Sequence, residues 1–190
     1  MLRHFRPAIT ALIAFTLLLG LIYPLAITAL AAGLAPNGAK GSLVATARGP
    51  VGSALIGQNF VRPEYLHPRP SAAGDGYDPT QSGGANLGPL DPKLETRIAA
   101  SVKALGVAGA SVPVDAVTAS ASGLDPDISP EFARLQIDRI AKARNAAPRA
   151  VASLVESHVR GRFLGVIGEP RVNVLETNLA LDQRFGPMPR

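Results

Sequence analysis

The residue types that most often do chemistry are scarce in this chain. It has no cysteine, so disulfides, thiolate metal sites and a cysteine nucleophile are excluded. Its three histidines, His4, His67 and His158, match no zinc-ligand spacing such as H-E-x-x-H. No G-x-S-x-G elbow and no Walker A phosphate loop occurs. We therefore predict no catalytic site, no metal site and no cofactor held by the chain itself, and we interpret His158 as a histidine at the edge of the core.

The loop 81–86 is the first candidate site. Its paired glycines permit backbone turns that other residues cannot make, and its polar side chains offer neutral oxygen atoms. On composition alone a flexible loop is the simpler interpretation. The functional interpretation is a loop that docks a partner or lines an ion entrance, with these candidate residues: Gln81, Ser82, Gly83, Gly84 and Asn86.

The segment 125–129 is the second candidate site. Asp125-Pro126-Asp127 followed by Ser129 superficially resembles a cation site, but it lacks the glycine and the distal glutamate of an EF-hand loop. A turn that leads into a helix N-cap is the simpler interpretation. The functional alternative is that Asp125, Asp127 and Ser129 face a cation path or a partner.

An apolar segment near the N-terminus is predicted to anchor the chain, and with it both candidate sites, in a membrane. Residues 8–35 contain no charge and exceed the roughly 20 apolar residues that a membrane-spanning helix needs. Arg3 and Arg6 precede the segment and Lys40 follows it, so the positive-inside tendency places residues 1–7 in the cytoplasm and residues 36–190 outside. A cleavable signal peptide is the alternative, since Ala29-Leu30-Ala31 has the small-x-small form, but the apolar run is long for one.

Tyr23 and Pro24 lie inside this apolar segment. Proline in a membrane helix more often kinks the helix than ends it. For Tyr23 and Pro24 two interpretations stay open: a kink without function, and a role in packing against other helices.

The remaining residues predict a single mixed α+β domain without internal repeats. After the removal of Arg3 and Arg6 it carries 17 basic and 14 acidic residues, a net charge of +3, which gives nucleic-acid binding little support. Residues 62–92 are rich in Pro and Gly and predict a long irregular loop. Helices are predicted to begin at Pro92, Pro130 and Pro148, and for residues 176–185 a short helix and an extended segment both stay open. Strands are predicted over residues 42–47, 51–58, 112–118, 163–167 and 172–175.

Taken together and in order, several stretches of the chain resemble a known family. They are GLIYPL at 20–25, GSALIGQNF at 52–60, RPSA at 69–72, SGGANL at 82–87, VTASASGLDPDISP at 117–130, GEPRVNVL at 168–175 and NLALD at 178–182. This set resembles the KdpC family, the C subunit of the Kdp potassium-transporting ATPase. Pro68, Ala121 and Asp127 depart from what many relatives carry, which puts in doubt a direct action of those positions on an ion.

The resemblance implies a non-catalytic subunit of a bacterial inner-membrane complex for high-affinity potassium uptake. Its partners would be a channel-like A subunit, a P-type ATPase B subunit that binds ATP with magnesium, a small F subunit and membrane lipid. The family is described as a catalytic chaperone that raises the ATP affinity of the B subunit. Because the predicted topology puts the domain outside the cytoplasm and away from ATP, we expect this effect to be allosteric.

Two other functional classes remain as alternatives at this point. One is a membrane-anchored extracytoplasmic hydrolase, and the other is an anchored binding module for a small ligand. The missing nucleophile and base argue against the hydrolase. Co-purification with larger membrane proteins would favour a subunit over both.

Overall fold

The computed structural model describes residues 2–47, 49–106 and 112–187. The chain forms two compact units, residues 1–43 and residues 44–190. The first unit is helical and the second mixes helices with short strands, so the predicted α+β class with one N-terminal apolar helix is confirmed.

The first unit contains one helix that is long and apolar enough to cross a membrane. It runs over Phe5–Leu34, with a mean hydropathy of 2.2 in its most apolar window, and none of its side chains is buried by the described chain. It starts three residues earlier than predicted and ends one residue earlier. Its parts are α1 (Phe5–Leu17), a π-helical turn (Leu18–Ile22) and α2 (Tyr23–Leu34), preceded by a 3₁₀ turn (Leu2–His4) and followed by the short α3 (Pro36–Ala39).

The second unit begins with a small hairpin and a long irregular segment. Strand β1 covers Leu43–Thr46 and pairs with β2, which covers Gly49–Ser53. The predicted strand over 51–58 is wrong beyond Ser53, because the Ser53 hydroxyl accepts the Leu55 N–H at 3.1 Å and turns the chain. Arg48-Gly49-Pro50 lies between the two predicted strands and predicts a turn, but Gly49 and Pro50 lie in β2, and Arg48 lies outside the described residues. No helix or strand occurs from there to Pro92, so the predicted irregular loop over 62–92 is confirmed.

The helix starts were predicted well. Helix α4 covers Pro92–Leu105, with the Asp91 carboxylate accepting the Lys93 N–H at 2.8 Å, and it ends at Gly106 with φ +65°. The next predicted strand, 112–118, is wrong within the described residues. There Val114–Ala116 forms a 3₁₀ turn, which the Thr118 hydroxyl stabilises by donating to the Val114 carbonyl at 2.7 Å.

A three-stranded antiparallel sheet carries the remaining helices. Its order is β3-β5-β4, and Val172 of the central strand lies opposite Ile128 on one side and Val159 on the other. The strands are β3 (Asp127–Ile128), β4 (Val159–Arg160) and β5 (Arg171–Asn173). The helices are α5 (Pro130–Leu135), α6 (Ile137–Ala143), α7 (Pro148–Ser157) and α8 (Val174–Phe185).

Three predictions in this region need correction. The apolar spacing of Val151, Leu154, Val155 and Val159 predicts one helix face that includes all four, but Val159 belongs to β4. The strand predicted over 163–167 is a tight turn between Phe163 and Ile167, because Leu164 and Gly165 both have positive φ, +51° and +77°. The strand predicted over 172–175 stops at Asn173, whose side chain accepts the Glu176 N–H at 3.1 Å and caps α8.

The core of the second unit lies between the sheet and helices α5 to α8. Ile128 and Val172 of the sheet are buried against Phe132, Ile140 and Val151 of the helices. Leu66, from the irregular segment, is also fully buried there. The loop region is therefore held by the same core that carries the candidate residues of β3.

Candidate functional site

Two buried amide side chains fix the irregular segment against the helices. The Asn178 side chain accepts the Leu66 N–H at 2.7 Å and donates to the Leu66 carbonyl at 3.0 Å. The Gln136 side chain does the same with His67, at 2.8 and 3.1 Å. Each amide side chain thus pairs both the N–H and the carbonyl of one loop residue, as a neighbouring β-strand would, so that the backbone polar groups of Leu66 and His67 are satisfied.

Ser71 organises the loop that follows. Its hydroxyl donates to the Gly123 carbonyl at 2.7 Å and accepts the N–H groups of Ala73 and Tyr77 at 3.1 and 2.9 Å. The Tyr77 hydroxyl donates to the Arg69 carbonyl at 2.7 Å, and burial raises the pKa of Tyr77, which keeps it a donor. Sequence reasoning found Ser71 only as part of the family resemblance and missed Tyr77.

The loop 81–86 is ordered by contacts within the chain. The Gly83 N–H and the Ser82 hydroxyl both donate to the Ser122 carbonyl, at 2.9 and 3.0 Å. The Gln81 side chain donates to Asp78 at 2.7 Å, and Asn86 adopts φ +50°. The first candidate loop therefore lies directly against residues 120–123, which immediately precede the second candidate segment.

Glycine is required at this contact. A Cβ atom on Gly84 would lie 2.9 Å from the Ala121 carbonyl oxygen, which is closer than side chains tolerate. At Gly123, where φ is +67°, it would lie 2.6 Å from the Ala73 nitrogen and 2.7 Å from the Gly83 oxygen. We call the surface formed by residues 81–86 and 120–123 the glycine platform.

The candidate residues of 125–129 are each engaged by a neighbour in the fold. Asp125 pairs with Arg69 at 2.9 Å. Asp127 accepts from the Asn173 amide at 2.9 Å and pairs with Arg171 at 3.0 Å. Burial raises the pKa of Asp127, and these two partners only partly offset that effect.

Ser129 is an N-cap, as its simpler interpretation predicted. Its hydroxyl accepts the Phe132 N–H at 3.1 Å at the start of α5 and donates to Asp115 at 2.8 Å. The other oxygen of Asp115 accepts the Ser129 N–H at 2.7 Å. Sequence reasoning found Arg69 and Arg171 only as part of the family resemblance and missed Asp115, because only the fold brings the three to this segment.

These residues surround an open groove of about 690 Å³. Five carboxylates and two guanidinium groups line it, so the lining carries a formal charge of −3. The charged lining residues are Asp115, Asp125, Asp127, Glu131 and Glu169 together with Arg69 and Arg171. The structure thus brings Asp125, Asp127 and Ser129 into one acidic groove, whereas the loop 81–86 does not line it.

His67 and His158 take part in packing. His67 is half-buried, its Nε2 lies 2.9 Å from the Arg62 carbonyl, and burial lowers its pKa. His158 follows α7, with Nδ1 2.9 Å from the Leu154 carbonyl, which agrees with a position at the edge of the core. In residues 2–47, 49–106 and 112–187, no three His, Asp or Glu side chains are arranged to hold a metal ion.

Tyr23 and Pro24 begin α2, directly after the π-helical turn. The Tyr23 side chain is 58% exposed, and nothing in the described chain packs on it as a core. Their predicted role in packing against other helices stays a prediction.

Comparison with known proteins identifies the family. Residues 5–183 match the family described as KdpC, the c chain of a K+-transporting ATPase. The chain belongs to the KdpC family. The predicted resemblance is thereby confirmed over almost the whole chain, and the chain is an accessory subunit of the KdpC type.

Individual KdpC relatives align with this chain over all or nearly all of their lengths. A potassium-transporting ATPase KdpC subunit of Beijerinckia indica is 54% identical over 197 aligned residues that cover all of both chains. The corresponding subunit of Allorhizobium ampelinum is 57% identical over 96% of this chain and 97% of its own. That of Caulobacter vibrioides is 52% identical over 99% of this chain and 97% of its own.

Proposed function

We propose that this chain is the accessory subunit of a high-affinity, ATP-driven potassium uptake complex, in which it supports assembly and raises the ATP affinity of the ATPase subunit. The family match over residues 5–183, which includes the apolar helix, carries the proposal. The other members would be the channel-like A subunit, the P-type ATPase B subunit and the small F subunit. ATP with magnesium would bind to the B subunit.

The charges that flank the apolar helix support a cytoplasmic N-terminus and a periplasmic domain in a bacterial inner membrane. Arg3 and Arg6 lie before the helix, and Lys40 is the first charge after it. The chain lacks cysteine, so Ser82→Cys introduces a single thiol on the exposed part of the glycine platform. A membrane-impermeant maleimide added to sealed, right-side-out membranes should label it. Labelling only after the membranes are opened would contradict the orientation.

An effect on ATP affinity must then be transmitted across the membrane. Allosteric coupling is reciprocal for binding, so the chain should change ATP and potassium affinities together. The test compares the ATP and potassium dependence of ATP hydrolysis by the complete complex and by the complex without this chain. We expect weaker apparent affinity for both ligands in its absence, and unchanged affinity for both would contradict the proposal.

We further propose that the glycine platform and the adjoining acidic groove dock on the channel-like subunit beside its potassium entrance. Two loops about 40 residues apart are held together by the Gly83–Ser122 and Ser82–Ser122 hydrogen bonds and offer one ordered surface. A photo-crosslinker attached at Ser82→Cys should label the channel-like subunit. The same probe at Thr96→Cys, on the exposed side of α4, is the control and should label it weakly. Equal labelling at both positions would contradict this docking surface.

A further inference from the structure

The apolar helix changes its hydrogen-bond pattern near its middle. Over Leu18–Ile22 it widens into a π-helical turn, and the Tyr23 N–H donates to the Leu18 carbonyl, five residues back. Pro24 follows immediately and has no N–H to donate. A π turn and a proline therefore coincide at one level of the helix.

This coincidence leaves backbone carbonyls without donors. Tyr23 occupies the Leu18 carbonyl, and the regular pattern of α2 assigns the Ile22 carbonyl to the amide of residue 26. Between them lie the three carbonyls of residues 19–21, and the only amide left for them is that of Leu25. Serine and threonine can return a hydroxyl to a carbonyl one turn back, but residues 22–25 are Ile, Tyr, Pro and Leu.

Water cannot supply the missing donors. Gly20 lies 15 residues after Phe5 and 14 residues before Leu34, near the centre of the span. At about 1.5 Å per residue, the carbonyls are roughly 20 Å from either end, which exceeds the roughly 15 Å half-thickness of the hydrocarbon core. In hydrocarbon an unpaired carbonyl is costly, and lipid tails carry no donor.

The backbone at this level is open to another helix. Apart from its two neighbours in the chain and the backbone of its own helix, nothing described lies within 4 Å of the place where a Cβ on Gly20 would stand. Small residues at such positions let helix backbones approach closely in membranes, which brings a polar side chain of the neighbour within reach of a carbonyl.

We propose that the π turn at Leu18–Ile22 is the docking site for a transmembrane helix of another subunit, which donates a side-chain hydrogen bond to a carbonyl of residues 19–21 that the Leu25 amide leaves unpaired. The proposal rests on the proposed function, since it needs a complex with further membrane-spanning subunits. The partner is identified by its chemistry: a hydroxyl- or amide-bearing residue near the bilayer centre. Gly20 provides the close approach, and Pro24 keeps the carbonyls available.

Two substitutions test the site within the assembled complex. Pro24→Ala restores an amide N–H that can pair with the Gly20 carbonyl, and Gly20→Leu fills the approach while it keeps the helix apolar. Gly33→Leu is the matched control, because that glycine is equally open but lies at the far end of the same helix. The fraction of the chain that co-purifies with the tagged ATPase subunit in detergent is measured for each variant.

Hydrogen bonds between membrane helices contribute modestly, so we expect Pro24→Ala to lower retention roughly three- to twenty-fold. Gly20→Leu should lower it at least as much, and Gly33→Leu should match the wild type. Equal retention of all three variants would overturn the proposal while the proposed function stands. If the wild-type chain itself failed to co-purify, the proposed function would fail instead.

A second copy of this chain is the competing occupant. With Leu19→Cys as its only thiol, the chain expressed alone can be oxidised in membranes and analysed for disulfide-linked dimers. We expect monomer alone, and efficient dimer formation that Gly20→Leu abolishes would overturn the assignment to another subunit.

Discussion

The Arg144–Asp182 ion pair tests whether burial, as opposed to geometry, sets how much a charge pair contributes to the free energy of unfolding of this domain. The Arg144 side chain is fully buried, and it donates to Asp182 at 2.8 Å. It also donates to the carbonyls of Glu64 and Gly186, at 2.7 and 3.2 Å, and lies 5.1 Å from the centre of the Tyr65 ring. One guanidinium therefore ties α6 and α8 to the irregular segment.

Asp182→Asn keeps the shape but removes the only counter-charge that pairs with Arg144 among the described residues. Breaking a buried pair typically costs about 3–5 kcal/mol, because a charge is left in a low dielectric. Asp182 is 26% exposed and two carbonyl acceptors remain, so we expect a smaller loss of about 2–3 kcal/mol in the free energy of unfolding. For a chain of this size, that corresponds to a fall in Tm of roughly 4–12 °C.

Thermal unfolding of the full chain in detergent micelles, followed by far-UV circular dichroism, measures this loss. Glu156→Gln is the control, because the Arg134–Glu156 pair is as close, at 2.5 and 3.0 Å, but each side chain is 46% exposed. An exposed pair contributes about 1 kcal/mol or less, so its Tm should fall by no more than a few degrees. Equal losses in the two variants would refute the argument that burial sets the cost.

Two further substitutions test the glycine platform and the loop that supports it. Gly84→Ala should lower the free energy of unfolding by about 1–3 kcal/mol, because its Cβ would clash with Ala121. Gly83→Ala is the control and should change the free energy of unfolding little, because the atom nearest to its Cβ, the Gln81 carbonyl oxygen, would be 3.9 Å away. Chemical denaturation measures both variants. Because burial lowers the pKa of His67, its neutral ring adds stability that is present above the ordinary pKa of 6.5 and is lost as the pH falls through the lowered value. His67→Gln should therefore flatten the fall in Tm between about pH 7 and pH 5, and an unchanged slope would contradict this assignment.

Helix starts were predictable because local residues decide them. Asp91-Pro92 and Ser129-Pro130 each combine a side chain that accepts an amide with a proline in the first turn, and both begin helices as expected. The strands were less predictable because pairing depends on distant segments. The run 163–167 is apolar enough for a strand, yet the positive φ of Leu164 and Gly165 folds it into a turn.

The partners of the candidate residues were out of reach for the same reason. Asp125 and Arg69 are 56 residues apart, and Ser129 and Asp115 are 14 apart, with no periodic pattern that links them. Single-residue chemistry left open, as the functional alternative, that Asp125 and Asp127 face a cation path or a partner. It could not indicate that Arg69 and Arg171 already pair with them.

These pairings restrict how the acidic groove can act on potassium. A dehydrated potassium ion needs several oxygen atoms that replace its water shell, but Asp125 and Asp127 would have to release Arg69 and Arg171 first. The groove still carries three more carboxylates than guanidinium groups, so under the docking proposal we expect its field to attract cations. Such a field is screened beyond roughly 8–10 Å at physiological ionic strength. The docking proposal therefore requires the groove to lie within about that distance of the potassium path, and the apparent potassium affinity should lose its dependence on this chain as inert salt is raised.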